Sequence, residues 1–77
     1  MPELPRVKFR ELTRALEKAG FTHDRTKGSH FYYLNPKTKA KVSIPNHGSK
    51  TLGTGLTKGI LKDARISLSD FIKLLKN

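Results

Sequence analysis

The chain has 77 residues, a formal net charge of +10 at pH 7, 35% hydrophobic residues and no cysteine. This size allows one hydrophobic core, so we expect a single domain over residues 1–77, and the lack of cysteine excludes disulfides and thiolate metal sites. The longest apolar run, at 31–34, is too short to cross a membrane, and residues 1–10 carry no secretion-type apolar segment, so we expect a soluble cytoplasmic protein without membrane contact.

The first predicted element is an amphipathic helix over residues 8–19. Apolar residues recur in it at three-to-four spacing, at positions 9, 12, 15, 16 and 19, and Gly20 follows as a terminator.

Three strands are predicted next. Residues 21–25 form a short candidate strand, Thr26-Lys27-Gly28 supplies a turn, and the aromatic-rich stretch 29–34 forms the second strand. After a turn at 35–38, the segment 39–45 places Val42 and Ile44 on one face and polar residues on the other, as expected of a strand with one wet side.

The last part of the chain is predicted to be a polar loop at 46–55 and two helices. The stripe of the second helix is Leu56, Ile60, Leu61 and Ala64, and that of the third is Leu68, Phe71, Ile72 and Leu75. Ser67 and Asp70 are spaced as an N-cap and capping-box pair. The order α-β-β-β-α-α with short connections predicts an α+β fold, in which a three-stranded antiparallel sheet carries helices on one face.

Basic residues dominate the middle of the chain. From Arg25 to Lys62 there is no Asp or Glu, whereas eight Lys and Arg lie in this window. Such a distribution favours a polyanionic partner, and nucleic acid is the expected one.

His30 opens the second strand, directly after Gly28-Ser29. If Phe31 and Tyr33 face the helices, alternation puts His30 on the open face of the sheet, next to Tyr32 and to Lys41 or Ser43. An imidazole there can give or take a proton at neutral pH.

Metal-free RNA cleavage needs a general base, a general acid and cations that stabilise the charged phosphorane. His30 is the candidate acid or base, Lys27 and Lys41 are candidate phosphate-binding cations, and His47 is a possible partner or a turn residue. Gly28 and Ser29 can offer N–H and hydroxyl donors to a phosphate, and Tyr32 can stack an unpaired base.

Two alternatives use the same residues differently. A histidine beside aromatics is often a packing residue, and Tyr32 can belong to the packing of the sheet. A metal site built from His23, Asp24, His30 and His47 would lack the spacing of known zinc patterns and would lie in a positive field, so we expect neither a metal nor another cofactor.

Three stretches carry a resemblance to a known family: ALEKAGFTHDRTKGSHFYY at 15–33, VSIPNH at 42–47 and GILKDARISLSDF at 59–71. Together they resemble the HicA toxins, also called YcfA-like mRNA interferases. The most specific elements are Gly20-Phe21, the triplet Gly28-Ser29-His30, Pro45-x-His47 and the helix around Ile60-Leu61.

The resemblance implies a fold like that of double-stranded-RNA-binding domains and a toxin of a type II toxin–antitoxin pair. It implies an endoribonuclease that cuts mRNA and inhibits translation, with His30 at the position of the presumed catalytic histidine, and a HicB-type antitoxin as partner. Members of the family commonly have glycine where Arg65 ends the second helix here, so Arg65 must adopt a left-handed cap or the helix must end differently.

Two rival functions remain at this stage. A non-catalytic RNA-binding module would use the same surfaces to read RNA shape. A helix-turn-helix over residues 60–71 would place the last helix in a DNA groove, but its apolar stripe is needed for the core.

Overall fold

The computed structural model describes residues 4–76. Its elements are α1 (Phe9–Lys18), β1 (Thr22–Lys27), β2 (His30–Leu34), β3 (Lys41–Pro45), α2 (Thr54–Ala64) and α3 (Leu68–Lys76). The strands form one antiparallel sheet in the order β1-β2-β3. The predicted α+β class and element order are therefore confirmed. Within the described residues, every helix is too short or too polar to cross a bilayer.

The core lies between the helices and one face of the sheet. Tyr33, Val42 and Ile44 are buried on this inner face, where they join Leu12, Leu16 and Phe71 from the helices. The predicted alternation of β3 is confirmed, because its residues alternate between exposed and buried up to Ile44. Since Phe31 and Tyr33 pair with Ile44 and Val42, the inner face of β2 is also the predicted one.

The hairpin between β1 and β2 is tighter than predicted. The turn consists of Gly28 and Ser29, whereas the sequence suggested a turn at residues 26–28, because β1 continues to Lys27 and pairs there with His30. Gly28 has φ +60°, and Ser29 does not have a positive φ. Glycine at the first position of a two-residue loop is the type II′ preference, which matches the twist of the two strands.

The segment after β3 is more ordered than the predicted polar loop. Leu52 is fully buried and its N–H donates to the carbonyl of Val7 at 2.7 Å, while Thr51 bridges to Lys8. Thr54 already begins α2. Leu56 was assigned wrongly to the buried stripe of α2, because it is 39% exposed and Thr57 is buried in that turn instead.

Helix α2 ends with a left-handed cap at Arg65, which is one of the two possibilities that the sequence left open. This residue has φ 61° and ψ 39°, so it adopts the left-handed conformation despite its side chain. The N–H of Ile66 donates to the carbonyl of Leu61, and the guanidinium of Arg65 reaches the carbonyl of Thr38 at 3.3 Å.

Helix α3 is a core element. Ser67 caps it, because its hydroxyl accepts a hydrogen bond from the N–H of Asp70 at 3.2 Å, as predicted. Phe71 is fully buried, and Leu74 and Leu75 pack against the core. The first turn of α3 carries the acidic Asp70, which is unfavourable next to DNA phosphates.

Candidate active site on the open face of the sheet

The open face of the sheet, defined as the side away from the helices, holds three rows of side chains. The strand register sets these rows across the three strands in turn. They are Lys27, His30 and Pro45 in the first row, Arg25, Tyr32 and Ser43 in the second, and Thr22, Leu34 and Lys41 in the third.

His30 lies at the turn end of this face. It is exposed and pairs across the hairpin with Lys27, so that the two side chains flank the Gly28-Ser29 turn. Directly paired residues have Cβ atoms about 4.5–5.5 Å apart, which places the ammonium of Lys27 within reach of any phosphate that contacts the imidazole. The exposed position of His30 on the open face is confirmed. The expected neighbours Lys41 and Ser43 are wrong, because Pro45 is the residue of β3 that pairs with His30 and the adjacent cation is Lys27.

Tyr32 lies in the next row of the same face, about 6.6–6.8 Å along β2 from His30. The guanidinium carbon of Arg25 lies 5.4 Å from the centre of the Tyr32 ring, within the range of a cation–π contact. Tyr32 is partly exposed on the same surface as His30, and the guanidinium of Arg25 lies over its ring.

Lys41 occupies the far end of the open face. It pairs with Leu34, four residues along β2 from His30, a separation of about 13 Å. Lys41 therefore does not contact the same phosphate group as Lys27, and the two lysines mark opposite ends of one track.

His47 follows β3 at the same end of the sheet as His30. The N–H of Asn46 donates to the carbonyl of Ser29 at 2.7 Å, which extends the pairing of β2 and β3 by one residue past Pro45. His47 comes next in the chain and is exposed. The structure therefore brings His47 near the Gly28-Ser29 turn, on the side opposite Lys27.

His23 lies on the inner face, away from His30. Its ring centre is 5.5 Å from those of both Phe31 and Tyr33, and its Nε2 is 2.7 Å from the hydroxyl of Thr26. The alternative metal set needed His23 and His30 together, but the sheet separates them. Among residues 4–76, no group of three or more His, Asp or Glu side chains is placed to hold a metal ion.

Tyr33 closes the inner side of the sheet behind the site. Burial, together with the nearby carboxylate of Glu17, raises the pKa of this phenol above its usual value, and a hydrogen bond with Thr13 opposes the shift in part. The neutral phenol is therefore the form that the fold favours.

Sequence reasoning placed Ser43 on this surface but missed Arg25 and Asp24. A signal for Arg25 was present, because counting back along the hairpin from a two-residue Gly28-Ser29 turn pairs Arg25 with Tyr32. Asp24 depends on a β-bulge, which the pattern of residues does not reveal.

Comparison with known proteins identifies relatives of this chain. The family model for the HicA toxin of bacterial toxin–antitoxin systems matches residues 9–66. A protein of Pseudomonas fluorescens (strain Pf0-1), named "Probable mRNA interferase HicA", is 40% identical over 57 residues, which cover 73% of this chain and 90% of the relative. Residues 9–66, which the family model matches, contain the whole sheet and therefore its open face.

Proposed function

Because the chain belongs to the HicA toxin family of bacterial toxin–antitoxin systems, we propose that it is an endoribonuclease that cleaves mRNA in the cytoplasm without a metal ion and thereby inhibits translation. The observation that carries the proposal is the pairing of exposed His30 with Lys27 around the Gly28-Ser29 turn, on the open face of the sheet. The name of the Pseudomonas relative supports mRNA as the substrate.

The proposed reaction is an attack within the RNA chain. The 2′-oxygen attacks the adjacent phosphorus and loses its proton, the bond to the 5′-oxygen breaks, and that oxygen gains a proton. His30 is the acid or the base for one of these transfers, and His47, at the same end of the sheet, is the candidate for the other. The products are a 2′,3′-cyclic phosphate and a 5′-hydroxyl end.

The turn supplies the groups that bind phosphate. Gly28 has no side chain to hinder a close approach, and a Cβ built there would meet no described residue within 4 Å apart from its two neighbours in the chain. Ser29 offers a hydroxyl, and Lys27 offers a positive charge beside the imidazole. These donors stabilise the extra negative charge that develops on the phosphorane, which is where electrostatic catalysis acts.

The proposed track continues past Tyr32 to Lys41. Tyr32 stacks an unpaired base, and Lys41 binds a phosphate farther along the strand, since it lies about 13 Å from His30. An extended single strand rather than a compact duplex fits this row of contacts.

The first experiment is digestion of a long single-stranded RNA by the purified protein in the presence of a chelator, followed by analysis of the new ends. We expect 5′-hydroxyl and cyclic phosphate ends. A matched RNA with a 2′-deoxy sugar at a mapped cleavage position should resist cutting there, because it lacks the attacking oxygen.

Other outcomes would contradict the mechanism. Cleavage that stops in chelator, or that leaves 5′-phosphate ends and tolerates the 2′-deoxy sugar, would indicate attack by an activated water. RNA that is bound in a salt-sensitive manner but never cut would favour the non-catalytic binding module instead.

The antitoxin partner is proposed to be a HicB-type protein that covers the open face. A net charge of +10 favours a partner surface with complementary acidic groups. If so, the purified antitoxin should block RNA cleavage and RNA binding together. Simultaneous binding of RNA and antitoxin would place the antitoxin elsewhere on the toxin.

A further inference from the structure

A depression of about 290 Å³ lies on the open face beside Tyr32. Residues of all three strands line it, and those whose strand positions belong to the open face or to the bulge of β1 are Asp24, Arg25, Tyr32, Leu34, Lys41 and Ser43. Ligand clefts usually measure about 300–1,000 Å³, so this one suits a single small flat group. Its wall combines an aromatic ring, two cations, a hydroxyl and one carboxylate.

The carboxylate is present because β1 contains an irregularity. His23 pairs with Tyr33 and Arg25 pairs with Tyr32, so Asp24 is an extra residue that has no partner in the ladder. A bulge of this kind redirects a side chain, and bulges are common beside active sites. Here the bulge brings Asp24 to the rim of the depression on the open face.

We propose that this depression is a specificity pocket for one unpaired RNA base that bears an exocyclic amino group. The inference rests on the proposed ribonuclease function and gives the chemical class of the base that the strand presents beside the scissile phosphate. Asp24 and Arg25 are the specificity residues, and Tyr32 is the stacking platform.

The ring of Tyr32 provides the binding energy without selecting a base. Every base has a flat π face, so stacking on an exposed aromatic ring tolerates all of them. Tyr32 is two residues from His30 on the same face, about 6.6–6.8 Å away. A base on this ring therefore belongs to a nucleotide next to the phosphate at His30.

Asp24 provides the selection. A carboxylate accepts hydrogen bonds and cannot donate them when ionised, so it pairs with an amino group such as N4 of cytosine. Uracil presents a carbonyl oxygen at the same position, which the carboxylate repels. Cytosine and uracil are nearly equal in size, so their comparison isolates this contact.

Arg25 lines the pocket beside Asp24, and its guanidinium lies over the ring of Tyr32. Its Nε lies 3.9 Å from Oδ2 of Asp24, and the two side chains are 76% and 51% exposed. An exposed ion pair of this length is weak. An incoming nucleotide can therefore replace it, with the phosphate taking the guanidinium and the base edge taking the carboxylate.

The test measures equilibrium binding of fluorescently labelled pentacytidylate and pentauridylate to the full-length His30→Ala protein, in which cleavage does not interfere. We expect pentacytidylate to bind about fivefold more tightly, the lower end for one base-edge contact. Asp24→Asn should abolish this preference. Asp63→Asn makes the same change of charge on the exposed side of α2 and should preserve it.

Tyr32 is tested in parallel. Tyr32→Leu keeps apolar bulk but removes the ring, and it should weaken binding of both RNAs about tenfold. Tyr32→Phe keeps the ring and should retain the binding and the preference.

Equal affinity for the two RNAs, an equal effect of the two Asp substitutions on the preference, or no binding of either RNA would overturn the pocket. The proposed function is judged separately by wild-type cleavage. Cutting with 5′-hydroxyl ends but no base preference would leave the ribonuclease standing without the pocket. Base-selective binding without any cutting would support the pocket and contradict the ribonuclease function.

Discussion

Two histidines of one hairpin are expected to respond in opposite ways to substitution by alanine. His30 is exposed on the open face, whereas His23 contacts two aromatic rings on the inner face. The proposed mechanism requires that His30→Ala removes activity without removing stability. The contacts of His23 predict the opposite result for His23→Ala, which should lower stability and leave the chemistry intact.

The magnitudes follow from these contacts. Loss of a proton-transfer group should lower the rate of RNA cleavage by about 10²- to 10⁴-fold, while an exposed substitution should change the free energy of unfolding by less than about 0.5 kcal/mol. His23→Ala removes two aromatic contacts at 5.5 Å and a 2.7 Å hydrogen bond to Thr26. Since His23 is itself exposed, we expect a loss of about 1–2 kcal/mol, or a Tm lower by about 5–10 °C.

The assay pairs single-turnover cleavage of a labelled RNA with thermal unfolding followed by circular dichroism, for the wild type and both variants. Cleavage is measured well below every Tm, so that unfolding does not imitate loss of catalysis. A folded His30→Ala protein that cuts RNA at the wild-type rate would refute the assignment. So would a larger loss of rate in His23→Ala than in His30→Ala.

Three further substitutions test the fold. Gly59→Ala should raise the free energy of unfolding by about 1 kcal/mol in urea titration, because Gly59 is exposed within α2 and a Cβ there meets no described atom within 4 Å; a destabilised variant would contradict this. Leu52→Ala should cost about 2–5 kcal/mol by the same titration, since the side chain is fully buried, and a cost under 1 kcal/mol would mean that the segment is not anchored. Tyr33 contributes stability that is complete below the unfolded pKa of 10.0 and is lost as the pH rises through the raised folded pKa. Between pH 9 and 11 the free energy of unfolding should therefore fall less in Tyr33→Phe than in the wild type. Equal slopes of this free energy against pH in the two proteins would refute the raised pKa.

The sequence allowed prediction of every element and of the face on which His30 lies, because hydrophobic periodicity reports which side of an element is buried. Val42 and Ile44 alternate with polar neighbours, and that alternation fixed the open face. Chain pairing that depends on distant residues was not predictable in this way. The contact between Val7 and Leu52 joins segments 45 residues apart in a glycine-rich stretch that carries no periodic signal.

The errors in the assignment of residues had local causes. The turn was placed at residues 26–28 because glycine was assigned to the end of the turn, whereas a type II′ loop puts glycine first. Leu56 was assigned to the core by its apolar character, although the geometry of α2 buries Thr57 in its place. The bulge at Asp24 leaves this residue without a partner in the ladder and brings no apolar side chain into the core. The pattern of residues therefore does not predict it.

Strand β1 is an edge strand of the sheet, and this position affects the solubility of the protein. All six residues of β1 are exposed, and the strand has a neighbour in the sheet on one side. Such a border invites pairing with another molecule, and natural sheets prevent it with charges and bulges. Here Asp24, Arg25 and Lys27 supply both. The residues proposed for RNA recognition therefore also oppose pairing between copies of the chain. Substitutions that remove charge along β1 would lower the solubility of the protein and its specificity for RNA at the same time.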